Sequence, residues 1–117
     1  MTEFETPGSP RDVSRAIEEY ARASGRVSAL VVPWESEATT LSMAVTSVKA
    51  DGWAIEHTDL GTIRLTDLGD HSTSVAIVAR EAEATTPSQA AFFDRFAVEL
   101  QRHLTRQPGE IERSGQP

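Results

Sequence analysis

Few side chains in this sequence have the type and spacing to do chemistry. His57, His71 and His103 fall on different expected elements. None stands in the H-x-x-x-H or H-E-x-x-H spacing that turns paired side chains toward one metal. Asp67, Asp70 and His71 crowd one turn, without the acidic loop and distal Glu that calcium requires. The chain has no cysteine, which removes disulfides, thiolate ligands and thiol nucleophiles together. Its glycines are isolated, so no loop is built to cradle phosphate. No serine sits in G-x-S-x-G, the turn that presents a hydrolase nucleophile. The sequence therefore assigns no catalytic residue, no metal site and no cofactor, and it leans away from an enzyme.

Two groups of residues stand out for binding. Trp53, Ile55 and His57 alternate, so on a strand they share one face. Under a covering helix they would line a pocket for a small apolar ligand, with His57 as polar anchor or acid–base group. The plainer reading makes Trp53 core and His57 a rim residue. The second group concerns an interface. Trp34 follows Pro33 on an expected loop, while Ala54, Ala76 and Val78 leave one sheet face with small side chains. Such a face suits a protein partner or a second copy of the chain.

These residues must be positioned by a sheet. Residues 53–58, 62–68 and 73–80 read as three antiparallel strands. Ile63 and Leu65 alternate with Thr62, Arg64 and Thr66 in the middle one. Both expected connections spell Thr-Asp-Leu-Gly, at 58–61 and 66–69. In each, Asp can bond the backbone ahead of it and Gly can take a positive φ. A fourth strand, 27–32, has few polar letters and is expected inside the sheet, covered on both faces.

Helices supply the cover. Ser9-Pro10-Arg11-Asp12 opens one over 10–24, with Val13, Ala16, Ile17, Tyr20 and Ala21 as its stripe and Gly25 as its left-handed end. Thr86-Pro87-Ser88-Gln89 is a capping box that opens another over 87–105. There Phe93, Phe96, Ala97, Leu100 and Leu104 form the apolar stripe, flanked by Phe92. Residues 37–50 fit either period. Leu41, Ala44, Val45 and Val48 match a helix, whereas Leu41, Met43 and Val45 alternate as in a strand among β-branched neighbours. A tight hairpin at Asp51-Gly52 would leave neither face cleanly apolar, so a helix over 37–50 is expected. Residues 1–8 are expected as a flexible lead, in which Phe4 could add an edge strand, and 107–117 as a disordered tail. Residues 9–106 then form a single α+β domain, an antiparallel sheet of about four strands with the C-terminal helix packed on it.

That order of elements resembles small helix-on-antiparallel-sheet domains such as roadblock-type and helix-grip proteins. The likeness is one of architecture and carries no residues with it.

Charge narrows the partners. The 117 residues carry a formal −7. Between Pro33 and Thr86, nine acidic residues face only Lys49, Arg64 and Arg80. Phosphate backbones and anionic lipid reward the opposite sign, so neither nucleic acid nor a membrane is an expected partner. No apolar run reaches the ~20 residues of a spanning helix, and the acidic N-terminus lacks a secretory apolar stretch. The expectation is a small acidic, non-catalytic cytoplasmic domain that binds a protein partner or itself, as an adaptor or regulatory subunit. The alternative is a pocket for a small ligand, cyclase- or lyase-like, between the sheet and the C-terminal helix.

Overall fold

Two left-handed or capped helix ends and one switched strand decide how this chain is laid out. The computed structural model describes residues 2–25, 27–31, 40–51, 54–81 and 86–105, with side chains except at 48–51 and 54–57. In chain order the elements are β1 (Thr2–Pro7), α1 (Pro10–Ser24), β2 (Val27–Val31), β3 (Thr40–Asp51), β4 (Ala54–Asp67), β5 (Ser72–Ala79) and α2 (Pro87–Thr105). The five strands form one antiparallel sheet in the order β1-β5-β4-β3-β2. It is an α+β fold with α2 packed on the sheet.

Both helices begin as their sequences dictate. The Ser9 hydroxyl accepts the Asp12 N–H at 3.2 Å, with Pro10 at the first helical position. Gly25, at φ 71°, closes α1 by donating its N–H to the Arg22 carbonyl. At α2 the capping box is complete in both directions. The Gln89 N–H reaches the Thr86 hydroxyl at 3.2 Å, and the Gln89 side-chain oxygen accepts the Thr86 N–H at 2.9 Å.

One face of the sheet carries the core. Val45, Met43, Ile63, Leu65, Val75 and Ile77 alternate inward and are buried. Val13, Ile17 and Ala21 of α1, with Phe93, Phe96, Ala97 and Leu100 of α2, close over them as one cluster. Phe93, Phe96 and Leu100 are at most 5% exposed, so the C-terminal stripe does cover the sheet. Two buried threonines tie the ends of the chain into it. Thr6 donates to the Leu104 carbonyl at 2.6 Å and Thr73 to the Gly8 carbonyl at 2.8 Å.

Four features differ from the sequence reading. Residues 40–51 form strand β3, where a helix over 37–50 was expected. The objection had been register, and a bulge removes it. Val45 pairs with Gly61 but Thr46 pairs with Asp59, so Leu60 is the extra residue. The side-chain alternation slips by one there, which lets Leu60 and Gly61 both turn inward; each is buried.

The same bulge explains the second difference. Residues 53–58 and 62–68 are not two strands joined by a turn but one strand, β4. Only the second Thr-Asp-Leu-Gly makes a turn, with the Gly69 N–H on the Asp67 carboxylate at 2.9 Å and Gly69 at φ 88°. In the first, Leu60 is drawn into the core, and tertiary burial overrides the local turn signal. Third, β2 lies at the margin of the sheet rather than inside it. Its outward Leu30 is 59% exposed, so an apolar run did not mean two covered faces. Fourth, residues 2–7, expected in a lead-in, form the opposite edge strand, with Phe4 beside Val75. The sheet thus has five strands rather than about four.

Candidate functional site

The helices leave a cleft where they diverge. Tyr20 and Ser24 of α1 face Phe92, Arg95, Phe96 and Glu99 of α2 across about 250 Å³. Tyr20 is fixed there by its ring, which stacks on His103 at 4.8 Å between centroids and leans on Phe96 at 5.9 Å. Burial raises the phenol pKa above its ordinary value, and the Glu99 carboxylate raises it further by its charge and by accepting the phenol hydrogen bond.

Sequence reasoning placed Tyr20 only in the packing stripe of α1 and gave Arg95 and Glu99 no role. The signal available was slight: Tyr20 is the one member of that stripe with a polar tip.

The residues singled out from sequence are dispersed. Trp53 and Trp34 lie outside the described residues. Ile55 and His57 belong to β4, where their backbones pair with Ala50 and Val48. Ala54, opposite Asp51, begins the same strand; the side chains of these three lie outside those described. This part of β3–β4 is a ribbon. Among the described residues, 48–51 and 54–57 pair only with each other, because β2 pairs no further than Ser47 and β5 no further than Gly61.

Ala76 and Val78 do come together, both on the face of β5 turned away from the helices. That face continues through Thr62 and Arg64 on β4, Ala44 and Thr46 on β3, and Leu30 on β2. No described element lies over it. Among the described residues Arg64 stands alone in its middle; the other charges are Glu3 and Glu5 on β1 and an Asp59–Arg80 ion pair of 3.7 Å at one end.

Among the described residues no cluster of His, Asp or Glu could hold a metal ion. No described helix is long and apolar enough to cross a membrane. The architecture and the bare sheet face define a two-layer α+β domain, and no family model, curated protein or solved structure matches the chain.

Proposed function

We propose that this is a non-catalytic, acidic cytoplasmic domain that works by binding another protein, with the outer face of its sheet as the contact. One observation carries the reading. Both helices lie on the same side of the sheet, and the opposite side presents small, hydroxylated and aliphatic groups with Leu30 and Val78 59% and 41% exposed. Exposed aliphatic side chains around a single central arginine, with the acidic residues toward the margin, fit a protein contact, whose centre is poor in acidic groups and tolerates arginine.

The alternative reading, a small-ligand pocket beneath α2, has less support. Phe93, Phe96, Ala97 and Leu100 occupy the space above the described part of the sheet. Gly61 lies so close under Phe93 that an added methyl would sit 2.7 Å from its ring.

The test is affinity capture with the wild-type chain and with Val78→Arg. A protein retained by the wild type and released by the variant supports the reading, provided both chains melt alike. Equal retention by both removes the outer face from it.

A further inference from the structure

We propose that two copies of this chain join edge to edge along β2, antiparallel about a twofold axis, to make one continuous sheet. The proposal rests on the reading of this domain as a binding module and names one partner, through an edge distinct from the outer face.

The two margins of the sheet are built differently. On β1, Glu3 and Glu5 alternate with the core residues and Pro7 closes the strand. Charge and proline are the devices that keep a sheet edge from taking another strand. β2 has neither: Val27-Ser28-Ala29-Leu30-Val31 is uncharged, without proline and, among the described residues, paired on one side only. A groove of about 240 Å³ follows its free side. It is lined by Val27, Ser28, Ala29 and Leu30 of β2 and by Glu18, Arg22 and Gly25 at the end of α1. Four consecutive strand residues, which alternate between the two faces, all line the groove, which puts it along the strand's backbone edge. There, every second residue turns its N–H and C=O away from β3.

Charge in that groove selects the occupant. Glu18 and Arg22 stand one helical turn apart, and among the described residues neither is in an ion pair. A twofold axis reverses their order in the second copy, so Glu18 meets the partner subunit's Arg22 and Arg22 meets the partner subunit's Glu18. A second copy is complementary by symmetry alone. With the axis at Ala29, the exposed Leu30 falls beside the partner subunit's Ser28, large against small, and Val27 beside the partner subunit's Val31.

Sedimentation equilibrium and hydrogen exchange on the full chain test this over rising concentration. The expected mass climbs from 12.7 kDa toward twice that value, and amides of β2 gain protection with concentration while those of β1 do not. Glu18→Arg should weaken the dimer about tenfold, and adding Arg22→Glu should restore it to within about threefold. Val78→Arg, three strands away, should leave the dimer intact. Thermal melts separate a lost dimer from a lost fold. A chain that stays monomeric at every concentration overturns the proposal. So does a dimer that Val78→Arg dissolves and Glu18→Arg does not. A monomer that still captures another protein through Val78 would end this proposal and leave the outer-face reading standing.

Discussion

Gly61 shows how a single residue can be held by what lies above it. It pairs with Val45 and Ala79 in the middle of a strand, where glycine weakens a sheet unless another group needs the room. Here the Phe93 ring takes that room, and a Cβ would also strike the Val78 carbonyl. Gly61→Ala should therefore destabilise the fold by about 1–3 kcal/mol, read from urea unfolding. An unchanged midpoint would show that Phe93 does not rest there. Tyr20 offers a second test, because it is the only tyrosine in the chain. Its tyrosinate absorbance should titrate with one midpoint above the ordinary 10.0, and Glu99→Gln should lower that midpoint. The raised value means that the folded chain holds the proton more tightly than the unfolded one. The resulting stabilisation is full below about pH 10 and is lost as pH rises through the folded value. Tyr20→Phe should remove that alkaline loss from a series of thermal melts.

At the scale of elements, the helices were legible because their signals are local. Ser9, Pro10 and Gly25 bracket α1 as their chemistry requires, and Thr86 and Gln89 bond each other as a capping box should. Thr86→Ala should cost about 1 kcal/mol by loss of that cap, while Ser88→Ala, outside the reciprocal pair, should cost less; chemical denaturation measures both. The strands were legible only in part. Two identical tetrapeptides, Thr58–Gly61 and Thr66–Gly69, carry the same turn chemistry, yet one turns and the other runs straight through a bulge. What separates them is burial: Leu60 is 2% exposed and Leu68 43%. That difference comes from the core that α1 and α2 close over the sheet, and no short window contains it. The helix expected over 37–50 failed for the same reason. Without the bulge at Leu60, β3 and β4 cannot both turn apolar faces to the core, so the register argument was sound for a regular hairpin and inapplicable to this one. The candidate sites suffered similarly. Ala76 and Val78 could be read from alternation within one strand, whereas the Tyr20–Glu99 contact and the groove along β2 exist only once separate elements meet.

For the whole molecule, the consequence is a division of labour between surfaces. The helix side is closed, filled by aromatic and aliphatic groups, and carries its polar cleft between α1 and α2. Among the described residues, the far side carries Arg64, Glu3, Glu5 and the Asp59–Arg80 pair, a small part of the charged groups in the chain. If the outer face and the β2 margin are contacts, as proposed, the acidic remainder of the chain would repel unspecific acidic neighbours, most strongly at low ionic strength. Val78→Arg should accordingly impair partner capture without shifting the melting temperature, since Val78 touches no core residue on its exposed side.

The placement of β1 beside β5 has one more effect, on the time course of folding. Thr6 is bonded to Leu104, 98 positions away, and β1 pairs with β5, so the contacts of the first strand are complete only once the last helix is in place. Contacts of that span make a chain of this size slow to assemble. During synthesis the β3–β4–β5 meander leaves the ribosome before α2, with only α1 at hand to cover Met43, Ile63 and Val75. Until α2 arrives to cover them, the newborn chain is at its most vulnerable to clumping, and a chaperone that shields apolar hairpins would raise its yield.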